Sequence, residues 1–125
     1  MIYGIGTDIV NISRFKKMKS LKSFSEKVLS DNELKISLIY NEEKLIKYLA
    51  KQFACKEALS KAFGTGIRKP ILFKELEVLR DEKGKPYFNP LGDVKKIIVN
   101  LGITKTHVSL ADESEYAIAF AILEI

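Results

Sequence analysis

Phe53-Ala54-Cys55-Lys56-Glu57-Ala58-Leu59-Ser60-Lys61-Ala62-Phe63-Gly64-Thr65-Gly66 closes a helical pattern that begins near Glu42. Ile46, Ala50 and Phe53 recur at helical spacing, and Gly64 stands where a residue free to enter the left-handed region ends a helix. At about 100° per residue, Glu57 falls within about 40° of that apolar stripe. An ionised carboxylate is costly to bury, so it must reach the surface, take up a proton, pair with a cation or bind a metal. Lys61 lies one turn further on and offers the ordinary answer, a surface pair at i,i+4 worth roughly 0.2–0.5 kcal/mol.

A second carboxylate gives the other answer. Residues 2–10 (Ile-Tyr-Gly-Ile-Gly-Thr-Asp-Ile-Val) read as a strand with Tyr3, Ile5, Thr7 and Ile9 on one face and Gly4, Gly6 and Asp8 on the other. The bare glycines leave room beside Asp8 for a packed helix or for a ligand. Asp8 and Glu57 together with substrate phosphates suit Mg²⁺, which takes hard oxygen ligands and keeps several waters. With one Cys and one His in the chain, there is no cluster suited to zinc. The Gly64-Thr65-Gly66 turn fits either a helix cap or a phosphate cradle. No Gly-rich loop runs into a Lys-Ser or Lys-Thr helix start, which argues against a P-loop nucleotidase. Cys55, inside the helix, reads as a packed thiol.

Outward from these two segments the pattern is mixed. A short basic helix is expected around residues 13–20, and Ser30-Asp31-Asn32-Glu33 has the form of a capping box that starts another helix. Residues 74–80 and 85–88 form a hairpin around Asp81-Glu82-Lys83-Gly84. Asn89 and Pro90 are expected to open a helix that Gly102 ends. Residues 106–110 and 116–124 read as strands, the last as one buried on both faces. Helices and hairpins without βαβ alternation give an α+β fold, with a long central helix against an antiparallel sheet and residues 1–125 as a single domain.

The formal charge is +5, and residues 11–28 concentrate Arg14, Lys16, Lys17, Lys19, Lys22 and Lys27 against Glu26 alone. Such a surface attracts an acidic partner without naming it. A single cysteine, the lack of a signal-like N-terminus and the lack of any apolar run near about 18 residues lead to an expectation of a cytoplasmic protein with no membrane partner. Tyr40, Tyr48 and Phe53 leave open a competing reading as stacking residues of a nucleic-acid binder. A third reading is a non-catalytic scaffold for an acidic protein. A core this small also gains from oligomerisation.

Gly4-Ile5-Gly6-Thr7-Asp8-Ile9-Val10 followed by Arg14, the whole stretch Phe53 to Gly66, Gly84-Lys85-Pro86, and His107-Val108-Ser109-Leu110 with Tyr116-Ala117 together resemble holo-acyl-carrier-protein synthases, in family order along essentially the entire chain. The resemblance implies the 4′-phosphopantetheinyl transferase fold. It implies transfer of 4′-phosphopantetheine from coenzyme A to a serine of acyl carrier protein, releasing adenosine 3′,5′-bisphosphate and supporting fatty acid biosynthesis. Asp8 and Glu57 would bind Mg²⁺, and Lys61 would contact phosphate. Gly64, Thr65, Gly66 and Pro86 would line the nucleotide site, and His107 would lie near the 3′-phosphate. Arg14 and Lys17 would dock the acidic carrier, and the enzyme would be a homotrimer with its sites between subunits. No nucleic-acid partner is implied. Ala111-Asp112 stands where many members have Ser-His, and Asn11 where an acid is common, so no role is carried over there; a negative Asp112 would repel phosphate.

Overall fold

The computed structural model describes residues 1–125. Strand β1 (Ile2–Asn11) runs into two short helices, α1 (Ser13–Lys16) and α2 (Leu21–Val28), followed by α3 (Asp31–Ser37) and the 21-residue helix α4 (Glu42–Ala62). A 3₁₀ turn, Phe73–Glu75, leads to the hairpin β2 (Leu76–Arg80) and β3 (Pro86–Pro90). Helix α5 (Gly92–Asn100) and strands β4 (Lys105–Asp112) and β5 (Tyr116–Glu124) complete the chain. The main sheet has the order β1-β5-β4, antiparallel throughout, and β2-β3 forms a second sheet.

Local chemistry sets the boundaries of α4. The Asn41 side chain accepts from the Lys44 amide at 2.8 Å, satisfying one of the free N–H groups of the first turn, and Gly64 follows with φ +84°. The predicted capping box before α3 is present: Ser30 Oγ accepts from Glu33 N, and Glu33 Oε1 accepts from Ser30 N.

Helix α4 lies directly on the strand backbone. An added Cβ on Gly6 would stand 1.8 Å from the carbonyl oxygen of Ala58, and one on Gly4 would stand 2.0 Å from that of Ala62. The expected face therefore turns inward, and beside it Ala117, Ala119, Ala121 and Leu123 of β5 are buried. The other face of the sheet carries Tyr3, Ile5, Ile9, Ile118 and Phe120, each 39–61% exposed in the single chain.

Several sequence expectations are corrected. The basic segment is two helices separated at residues 17–20, not one helix over 13–20. Asn89 and Pro90 belong to β3, and α5 begins at Gly92. The Asn89 side chain instead donates to Glu77 Oε1 at 2.8 Å. Strand β5 alternates between buried and open residues where burial on both faces was expected.

Candidate active site

Asp8 reaches the α4 side of the sheet because it shares a strand face with Gly4 and Gly6, and the close approach of the helix brings it to Lys61. Lys61 Nζ donates to Asp8 Oδ1 and to the Thr7 carbonyl, both at 3.0 Å. The expected partner of Lys61 within its own helix was Glu57; its ion pair is with Asp8. Asp8 is mostly covered while the lysine is half-exposed, so the ammonium closes the site from the solvent side.

Glu57 is half-buried on the same flank. Burial raises its pKa first and the negative charge of Asp8 raises it further, while Lys61 and Arg14 pull in the opposite direction. Asp8, Lys61 and Arg14 therefore all lie close enough for their charges to act on Glu57. Arg14 is held there by the Phe53 ring, its guanidinium carbon 5.8 Å from the ring centroid. The sequence placed Arg14 only on a docking surface; the structure puts it at the edge of the carboxylate pair as well.

No group of three or more His, Cys, Asp or Glu residues converges anywhere in the chain. Two carboxylates with a nearby lysine do not make a closed protein cage, but they fit a hard cation that retains waters and takes further oxygens from a phosphate. Burial first and the Asp8 charge second raise the proton affinity of Glu57, and a bound cation would offset both.

The remaining candidates lie apart from this pair. Thr65 and Gly66 amides both donate to the Ser60 carbonyl and the Gly64 amide donates to that of Lys61, so this turn caps α4 with its own N–H groups. Pro86 opens β3 opposite Arg80 in the second sheet. His107 sits on β4 with its side chain on the face turned away from α4, 2.6 Å from Glu124 Oε2. In one chain, then, His107 and Asp8 face opposite sides of the sheet. Lys17 caps the exposed end of α1. Asp112, the residue expected to repel phosphate, pairs with Lys51 at 3.6 Å.

Two features gave no signal in the sequence. A cavity of about 500 Å³, lined by Tyr40, Lys44, Lys47, Tyr48, Lys51 and Arg80 among others, opens on the flank of α4 roughly opposite Glu57. The Tyr48 hydroxyl within it is buried without a partner. Tyr40 and Tyr48 pack edge to face at 5.3 Å, and Phe53 joins Phe15, Phe24 and Phe73 in a cluster with centroid spacings of 5.6–5.9 Å. Phe53 and Tyr48 thus pack against the core and Tyr40 packs on Tyr48, which occupies the rings that the nucleic-acid reading would use for stacking. The second feature is a buried polar cluster behind α4. Glu33, Lys56 and Glu77 are fully buried there, with Gln52 and Ser30 almost so.

The model of the 4′-phosphopantetheinyl transferase superfamily matches residues 4–121. A holo-[acyl-carrier-protein] synthase of Escherichia fergusonii is 45% identical over 125 residues, covering 98% of each chain. The crystal structure of the Neisseria meningitidis holo-[acyl-carrier-protein] synthase superposes with a TM-score of 0.91 at 37% identity, covering 100% of both chains. A Bacillus anthracis holo-(acyl-carrier-protein) synthase in complex with CoA (3′,5′-ADP) superposes with a TM-score of 0.84 at 36% identity, covering 98% of this chain and 96% of that one.

Proposed function

The chain belongs to the 4′-phosphopantetheinyl transferase superfamily, and on that premise we propose that it moves 4′-phosphopantetheine from coenzyme A to a serine of apo-acyl carrier protein, leaving adenosine 3′,5′-bisphosphate. The observation that carries the reading is that Asp8 acts electrostatically on Glu57 where α4 packs on Gly4 and Gly6, in a chain that matches holo-acyl-carrier-protein synthases from end to end. The CoA (3′,5′-ADP) complex of the Bacillus anthracis relative supports coenzyme A as the donor.

Asp8 and Glu57 would hold Mg²⁺, and the ion, when bound, would supply charge neutralisation on the pyrophosphate. Lys61 is anchored at its Thr7 and Asp8 contacts. From there its ammonium can turn toward a phosphoryl oxygen and stabilise the charge that grows as the serine oxygen forms its bond to phosphorus. The Gly64–Gly66 turn, Pro86 and His107 would contact the nucleotide, with His107 contributed by a neighbouring copy because it faces away from its own Asp8. The basic cavity and the charge of +5 would raise the local concentration of the anionic donor.

Arg14 and Lys17 would dock the acidic carrier, with Arg14 bringing it beside Glu57. A cytoplasmic homotrimer serving fatty acid biosynthesis completes the proposal. Physical support for the homotrimer is the open apolar face of the main sheet, of the kind that a second subunit covers.

Mass spectrometry of apo-carrier incubated with coenzyme A and Mg²⁺ tests the reaction. Addition of phosphopantetheine by wild type, dependent on the metal and lost in Asp8→Asn and Glu57→Gln, is the expected result. No addition by folded wild type would overturn the reading, and carrier binding that survives Glu57→Gln with no chemistry to lose would favour a scaffold.

A further inference from the structure

Lys56 precedes Glu57 in α4, yet the two side chains serve different sides of the helix. The Lys56 ammonium is fully buried and uses all three of its N–H groups. It donates to the Val28 carbonyl at 2.8 Å, to Glu33 Oε1 at 2.6 Å and to the Phe73 carbonyl at 2.9 Å. These acceptors come from the last residue of α2, the first turn of α3 and the 3₁₀ turn before β2. Gln52, one turn earlier on the same side of α4, donates to Glu33 Oε2 at 2.6 Å and to the Val78 carbonyl at 3.0 Å. Glu33 is completed by the Ser30 and Val78 amides, each at 2.8 Å.

Stability alone is a weak explanation for such a group. Desolvating an ion pair offsets much of its Coulombic gain, and well-packed apolar residues of similar volume often replace one at no loss. What a buried, fully bonded ammonium supplies beyond an apolar side chain is direction, since three fixed acceptors define one position for its nitrogen. Consecutive helix residues differ by about 100° in azimuth, so holding the azimuth of Lys56 holds that of Glu57. At a side-chain radius of about 5–6 Å, a 20° turn of α4 would carry the Glu57 carboxylate through about 2 Å. Errors of about 1 Å in the placement of reacting groups cost on the order of a hundredfold in rate.

We propose that Lys56, assisted by Gln52, is a positioning residue that sets the rotation of α4 against the end of α2, the start of α3 and the turn before β2, so that a serine delivered by the docked carrier meets the Asp8–Glu57 pair in line. This rests on the transferase reading and on docking at Arg14 and Lys17. The glycine groove fixes how close α4 lies to β1, and the Lys56 anchor fixes how it is turned. One of the three bonds, to the Val28 carbonyl, joins the end of the basic segment to the helix that bears Glu57.

The test is steady-state kinetics with apo-carrier and coenzyme A on Lys56→Met, on Lys56→Met combined with Glu33→Gln, which removes both charges, and on Gln52→Leu, which leaves the ion pair in place. All are measured well below each variant's melting temperature. The expected signature is a fall in kcat of about ten- to a hundredfold for the Lys56 variants and a smaller fall for Gln52→Leu, with KM for both substrates within about twofold of wild type. A kcat within about twofold of wild type in the folded variants would overturn the positioning role, as would a rise in KM for the carrier at unchanged kcat. Transfer by wild type in the same assay separates these outcomes from failure of the transferase reading, which would show as no transfer at all.

Discussion

Burial and the charge of Asp8 raise the pKa of Glu57 in the folded chain, so the metal-free native state holds a proton there more tightly than the unfolded chain does. Stability then falls as pH rises from the ordinary carboxylate range through the raised value, because the native state is the one that binds more protons in that window. Glu57→Gln should therefore stabilise the metal-free protein at pH 7 and bring no gain near pH 4. Solvent screening at this half-exposed group keeps the effect well under about 1 kcal/mol, a rise in Tm of no more than about 4 °C. Thermal melts in chelator at the two pH values check this, and Mg²⁺ should raise the Tm of wild type and leave that of Glu57→Gln unmoved. Cys55, whose thiol burial pushes up to about 12, should resist alkylation at pH 8 until the chain unfolds, as intact mass after reagent treatment would show. The carboxylate pair was readable in the sequence because glycine spacing and helical period each mark a residue out of place. The partner of Lys61 was not, since a chain inspected locally offers Glu57 at i,i+4, whereas Asp8 lies 53 positions away. Lys56 and Glu77 escaped for the same reason, as buried charges with distant partners have the sequence appearance of a solvated surface.

Helix α4 and strand β1 meet backbone to backbone, and this contact was foreshadowed by Gly4 and Gly6 without their partners being evident. Gly6→Ala would drive a methyl group to 1.8 Å from the Ala58 carbonyl, which neither backbone can yield without the helix lifting from the sheet. A loss of about 3 kcal/mol or more, with transfer activity reduced beyond the loss of folded protein, is expected from denaturant titration and assay in parallel. Helix ends governed by local side-chain chemistry were predictable, as Ser30 with Glu33 and Gly64 show. Asn89-Pro90 was misread because a helix-opening pair is also acceptable at the end of a strand, and the Asn89 amide is drawn to Glu77, a residue across the hairpin. The break between α1 and α2 follows from Ser20, which accepts the Ser23 amide at 3.1 Å and begins a new helix, a signal overlooked within a run of lysines.

On the scale of the molecule, the proposed trimer would set its subunits against the open sheet face. Burying a glutamate at Phe120, in the centre of the main sheet and 41% exposed in the single chain, would leave an unpaired charge within any interface formed there. Phe120→Glu should shift the mass in sedimentation from three times 14.2 kDa to one, with activity lost together with assembly. A wild-type chain that sediments as a monomer and is fully active would remove the trimer from the proposal. Its strand order could not be read from the sequence, because pairing β1 with β5 joins residues more than 100 positions apart, such as Gly6 and Ala121, and no local pattern encodes such a partner. The opposed directions of Asp8 and His107 carry a genetic corollary. If a neighbouring copy supplies His107, neither Asp8→Asn nor His107→Ala can act alone, but each retains the half that the other lacks. Co-assembled at equal amounts from unfolded chains, the two defective proteins should complement each other, restoring roughly a quarter of the catalytic centres in a cyclic trimer.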